Sequence, residues 1–209
     1  MKRTYISLNV KFPCMPSPNY NYDKRRFETF IDAIIAIILT ILILELRVPE
    51  TEHSLSTQQQ VASLLPSFIS YIGSFLLIAG IWIDHHILFL NLQKLTKRYI
   101  LLNMFFILLL SIVPFTTAFA GNHHKDAFAV SLLFINYFLM NLFFGNLYWY
   151  ANRKGLLTTE FWNDSKVTGK LSLIGIIGLI IAVPLAYLNT YLSFALGIII
   201  FTAHLFKKK

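Results

Sequence analysis

The 209-residue sequence predicts an all-α, polytopic membrane protein with six transmembrane helices, and three observations carry that prediction. Apolar residues make up 56% of the chain and charged residues 13%, with a mean hydropathy of +0.61, where an ordinary soluble domain is about 45–50% apolar. Six apolar stretches approach the roughly 20 residues that a helix rising about 1.5 Å per residue needs to cross a hydrocarbon core about 30 Å thick. Runs such as Ile34-Ile35-Ala36-Ile37-Ile38-Leu39 lack the period-two alternation of a membrane β-barrel. This balance excludes disorder, collagen and a water-soluble enzyme. The net charge of +8 raises the question of nucleic acid binding. Because the basic residues sit between apolar runs, the partner is instead the lipid bilayer, with no nucleic acid.

Residues 1–22 read as a cytoplasmic N-terminal tail. Lys2, Arg3, Lys11 and three prolines are present there, without the apolar run of a signal peptide. Cys14 is the single cysteine, too few for an intrachain disulfide or a Cys-rich metal site. The membrane domain, 23–206, starts with a span over Phe27–Leu46 that closes at Glu45 and Pro49. A second span, Leu64–Leu90, follows, and then a third, Tyr99–Ala120, in which Pro114 should kink or end the helix. The fourth is Ala127–Tyr150. The fifth, Lys170–Leu188, contains Gly175 and Gly178, which suit close helix packing, and Pro184, a second kink or stop near the outer surface. The sixth is Thr190–Phe206. The last two are short, so the turn at Tyr187-Leu188-Asn189 should lie shallow in the membrane. Lys207–Lys209 form a basic tail able to touch anionic lipid.

Positive charge sets orientation, because Lys and Arg stay on the cytoplasmic side. With the N-terminus inside, sixteen of the eighteen Lys and Arg fall on that side, leaving Arg47 and Lys125 outside with Glu50, Glu52 and Asp126. Both termini are therefore expected in the cytoplasm, in a multi-pass protein of the cell membrane. No internal repeat is visible.

Polar residues inside a bilayer are costly, so each is a functional candidate or a packing device. In the first span Phe30, Ala33, Ile37, Thr40, Ile41 and Leu44 share one helical stripe, and Asp32 lies about 140° from Ile37. In the second span Trp82, His85, His86 and Phe89 share a face about 100° wide at the depth of Arg26 and Asp32. Asp32 beside these imidazoles should form a charge-assisted network that clamps the two helices. Asn103, Asn136, Asn141 and Asn146 are expected to hydrogen-bond across helices. His123-His124 falls in an external loop, on the opposite side of the bilayer from His85-His86, so the pairs cannot share a metal. No metal, cofactor or catalytic nucleophile is expected, and Asp84 has no assigned role.

Arg26-x-x-x-Phe30-x-Asp32, the Ala36-Ile37-x-x-Thr40 run after it, and Trp82-x-x-His85-His86-x-x-Phe89 resemble the transmembrane protein 175 potassium channels. The prokaryotic members of that family have six spans per subunit and assemble as tetramers without the usual potassium filter. The resemblance implies a potassium-selective, leak-type channel, a homotetramer whose first spans line a central pore for potassium ions. Ile37 would form the hydrophobic constriction, Thr40 a ring of hydroxyls and Leu44 a second apolar ring. Arg26, Phe30, Asp32, Trp82, His85 and His86 would form a structural network. The family usually has Ser between the Phe and the Asp, where this chain has Ile31. No Thr-Val-Gly-Tyr-Gly filter is present, so the apolar ring would gate by dewetting. Periodicity alone does not separate a pore stripe from a packing seam. A secondary transporter or proton-conducting protein using Asp32, Asp84 and the histidines is the alternative; the broken, inverted repeats of transporters are not visible. A membrane enzyme built on His pairs would bind stoichiometric metal, and a passive scaffold would carry no flux.

Overall fold

The computed structural model describes residues 22–46, 56–158 and 175–205, and these are helical with short connections. The tails 1–21 and 206–209, Cys14, the loop expected outside with Arg47, Pro49, Glu50 and Glu52, and the start of the fifth span lie outside the described residues. The helices are α1 Lys24–Leu44, α2 Thr57–Ser63, α3 Leu65–Leu90, α4 Lys97–Ser111, α5 Val113–Asn122 and α6 Ala127–Arg153. They are followed by α7 Gly175–Leu188 and α8 Thr190–Leu205. Among the described residues, α1, α3, the α4–α5 pair and α6 are long and apolar enough to cross a membrane, while α7 and α8 are shorter apolar helices.

Local sequence sets each boundary. Asp23 caps α1 by accepting from the Arg25 and Arg26 amides at 3.0 and 3.3 Å, Thr96 caps α4 through Tyr99 N at 3.2 Å, and Asp126 caps α6 through Phe128 N at 2.8 Å. Asn189 does the same for α8, accepting from Tyr191 and Leu192. Such caps satisfy amides that have no intrahelical acceptor. Ser56 and Gln59 form a capping box on the short α2. Pro114 breaks the third span at Ile112 and starts α5, since proline lacks the N–H that would continue α4. The end of α6 is a Schellman turn. Gly155 has φ of 61°, its amide donates to Asn152 O and the Leu156 amide to Ala151 O, a turn that glycine adopts without Cβ strain.

The core runs through the bundle from Ile31, Ile35, Ile38 and Leu42 of α1 to Phe106 and Leu110 of α4 and Leu133 and Phe134 of α6. The helix α3 packs against α1, α5 and α8. Buried hydroxyls tie its middle to two neighbours: Ser74 Oγ lies 2.7 Å from Thr117 Oγ1 and hydrogen-bonds Tyr137 OH. Asn136 donates to Thr116 at 3.2 Å. Asn141 departs from the expected cross-helix hydrogen bond, because its amide donates to Tyr137 O one turn back in its own helix. The expected close approach at Gly178 is present, with Ile200 of α8 filling the space a Cβ would take.

The basic segments meet at one end. Lys24 Nζ donates to Leu92 O at 2.7 Å, and Gln93 N donates to Leu156 O at 2.7 Å. These bonds gather the start of α1, the α3–α4 turn and the end of α6. Ser67 Oγ and Asn122 Oδ1, 3.3 Å apart, mark the other end with His123 and His124, about 27 Å along α3 from His85.

Candidate functional site

The antiparallel seam between α1 and α3 is a ladder with one rung per helical turn. Lys24, Glu28 and Asp32 recur at i, i+4 and i+8 and so lie on one stripe of α1. Trp82, His86 and the Leu92 carbonyl receive them in reverse order. Trp82 Nε1 donates to Asp32 Oδ1 at 2.9 Å, His86 Nδ1 lies 3.3 Å from Glu28 Oε1, and Lys24 closes the series on Leu92 O. The Trp82 and His86 rings stack, with centroids 5.7 Å apart. The Trp82–Asp32 hydrogen bond, made to a carboxylate, is charge-assisted and stronger than a neutral one, whereas His86 Nδ1 approaches Glu28 without a hydrogen bond.

This arrangement corrects the expected pairing of Asp32 with imidazole. The Asp32 partner is the indole, and the carboxylate that meets an imidazole is Glu28, which sequence reasoning missed. The signal was available as the four-residue spacing Lys24, Glu28, Asp32 opposite Trp82 and His86.

His85 is buried in the core. Its Nε2 is 3.0 Å from Asn103 Oδ1. Asn103 Nδ2 is already committed to Tyr99 O at 2.9 Å, so Oδ1 is the acceptor and His85 carries its proton on Nε2. Its ring stacks on Phe89 and Phe106 at 4.5 and 5.9 Å. His85 thus joins α3 to α4, while His86 joins α3 to α1. Arg26 and Phe30 are not in the ladder. The Arg26 side chain is exposed, and Phe30 stacks on Phe27, which in turn meets Phe89 at 6.0 Å. Ile31, where the resembled family has Ser, is fully buried in the core. Asp84 is half-buried.

On the opposite side of α1 the stripe Phe30, Ala33, Ile37, Thr40, Ile41 and Leu44 is exposed along its whole length, with Ile37 at 56% and Leu44 at 70%. Thr40 Oγ1 donates to Ile37 O at 2.8 Å. With its proton held by its own helix, the hydroxyl presents only lone pairs outward. The chain therefore displays an apolar stripe about four turns long, interrupted by one oxygen acceptor. Among the described residues no group of three or more His, Cys, Asp or Glu converges as a metal site would require.

The family described as endosomal/lysosomal potassium channel TMEM175 matches residues 26–114, which hold the Glu28 and Asp32 rungs of the ladder, the α1 stripe and the His85–Asn103 pair. A potassium channel from Chryseobacterium sp. (strain P1-3) is 38% identical over 101 residues, 48% of this chain and 50% of the relative; the chain thus matches half of that relative's length. The endosomal/lysosomal proton channel TMEM175 of Mus musculus is 31% identical over 115 residues, 49% of this chain and 23% of that protein. The crystal structure of a lysosomal potassium-selective channel TMEM175 homologue from Chamaesiphon minutus superposes with a TM-score of 0.76 at 22% identity, covering 87% of this chain and 96% of the other. At that identity it speaks for the fold alone. Over residues 26–114, this chain is similar to the TMEM175 family.

Proposed function

We propose that the chain is the subunit of a potassium-permeable, leak-type channel of the cell membrane, a homotetramer with six spans per subunit and both termini in the cytoplasm. In this reading residues 23–206 form the channel domain, and α1 from each subunit lines a central path. Ile37 makes the narrowest ring, Thr40 a ring of acceptor oxygens one turn farther out, and Leu44 a second apolar ring. No cofactor or chemistry is needed, since permeation is passive. One observation carries the reading: the exposed α1 stripe lies inside the family-matched segment and pairs an apolar face with a single outward-facing hydroxyl oxygen. Closed cyclic assembly fits it, because one copy of a stripe cannot enclose a symmetric path. An aliphatic ring excludes water when narrow and so gates by dewetting. The gathering of the basic segments at one end of the bundle supports the proposed orientation by the positive-inside rule.

The test is potassium-gradient flux in liposomes reconstituted with the purified protein. Ile37→Asn widens and wets the throat, giving faster and less selective flux. Thr40→Ala removes the acceptor ring and lowers selectivity for potassium over sodium. Identical traces from both variants and the parent protein would remove α1 from the conduction path.

A second reading is favoured by the name of the murine relative, a proton channel. In that case protons cross the same path, and a pH gradient without potassium collapses when the protein is present. Saturating flux that requires a coupling ion would instead support a transporter.

A further inference from the structure

One stripe of the α6 surface differs from the aliphatic faces around it. Leu142, Gly145, Asn146, Trp149 and Arg153 are exposed and fall within about 100° of one another on the helix. A Cβ at Gly145 would meet nothing within 4 Å, so the stripe is notched there between Leu142 and Trp149. The Asn146 carboxamide has no hydrogen-bond partner among the described residues, whereas Asn103 and Asn136 both bond across helices. The Arg153 guanidinium sits 5.1 Å over the Trp149 ring, a cation–π contact, and the side chain is exposed.

Depth orders these groups. Arg153 lies in the basic end of the bundle, with exposed Lys97, Arg98 and Lys154 nearby in the fold; the Tyr99 and Tyr150 rings, 6.4 Å apart, bring the start of α4 beside the end of α6. Trp149 is about 6 Å and Asn146 about 10 Å deeper along the axis. The polar zone of a bilayer is only about 5–7 Å thick on each side. Arg153 is therefore at headgroup level, Trp149 in the interfacial belt where tryptophan is favoured, and Asn146 just inside the hydrocarbon, where an amide needs a partner.

We propose that this stripe binds an anionic diacyl phospholipid. Arg153 takes the phosphate, Asn146 Nδ2 donates to an acyl ester carbonyl, and an acyl chain lies in the notch at Gly145 against Trp149. Charge argues for this occupant. The stripe offers cation, indole and amide but no carboxylate, so the same face of a second copy would set guanidinium against guanidinium. The proposal needs the chain to lie in a membrane but does not depend on the pore assignment.

Native mass spectrometry of the detergent-purified oligomer, titrated with dioleoyl phosphatidylglycerol or dioleoyl phosphatidylcholine, tests it. Phosphatidylglycerol should bind several-fold more tightly. Arg153→Gln should weaken phosphatidylglycerol about fivefold, by the strength of one basic residue at an anionic surface, and largely erase the preference. Asn146→Leu should weaken both lipids, because both carry ester carbonyls, and Gly145→Leu, which fills the notch, should do the same if Asn146→Leu does not fold. Melting temperature and gel-filtration profile identify the folded variants. Equal binding of the two lipids, unchanged binding in the variants, or full displacement of phosphatidylglycerol by inorganic phosphate would overturn the proposal. So would loss of the oligomer in Asn146→Leu with lipid binding intact, which would mark a subunit contact.

Discussion

At the scale of single residues, hydrogen-bond satisfaction decides which polar groups hold the bundle. Asn103 and His85 are both buried and mutually bonded, so Asn103→Leu leaves a buried imidazole N–H without an acceptor. The expected loss is about 1–3 kcal/mol, read as a lower melting temperature in detergent, and Asn103→Gln should lose less if it still reaches His85. Removing the indole donor by Trp82→Phe leaves Asp32 without that bond while keeping an aromatic ring over His86. A reduced melting temperature is expected, and Asp32→Asn should lower it less than Trp82→Phe, because a neutral amide oxygen still accepts from the indole. Equal melting of parent and Trp82→Phe would show that the rung contributes nothing. Composition and spacing pointed to Asp32, Trp82, His85 and His86, and all four lie within about one helical turn of one another. The pairing was not legible, because residues with a common depth still choose partners by helix rotation, which depends on how α1 sits against α3.

Elements meet where small residues allow their backbones to approach. A Cβ on Gly121 would lie 2.7 Å from Ser67 Cα, a contact with backbone that no rotamer change relieves. Gly121→Ala should force α5 away from α3 and destabilise by about 1–3 kcal/mol, the usual cost of overpacking. Gly145→Ala, with open space around its Cβ, is the control. It should be neutral or stabilising by up to about 1 kcal/mol, from helix propensity alone. Comparing the two melting temperatures checks the packing argument, since propensity by itself raises both. The break at Pro114 was legible in the sequence because proline acts on its own helix. The Ser74, Thr117 and Tyr137 hydroxyl cluster was not, because its members come from three helices separated by long stretches of sequence.

For the whole molecule, orientation is the property most open to a direct check. With the tail in the cytoplasm, Cys14, the sole native cysteine, should resist a membrane-impermeant maleimide in intact cells and react after lysis. Lys125→Cys on a Cys14→Ser background should label in intact cells, because Lys125 lies at the end of the bundle opposite the basic segments. The reverse pattern would invert the proposed topology.

The sequence by itself determined the helical membrane class, the boundaries that Asp, Thr, Asn and Pro impose, the concentration of cationic residues at one end, and the composition of the α1 stripe. These follow from hydropathy, helical period and local capping, which act within about twenty residues. Only the tertiary structure decided that Glu28 meets His86, that Trp82 takes Asp32, that His85 turns inward to Asn103, and that the stripe of Ile37, Thr40 and Leu44 is left uncovered by the other described helices. Those outcomes depend on the rotation of each helix about its axis. Rotation is fixed by close packing against several neighbours at once, which no single segment encodes.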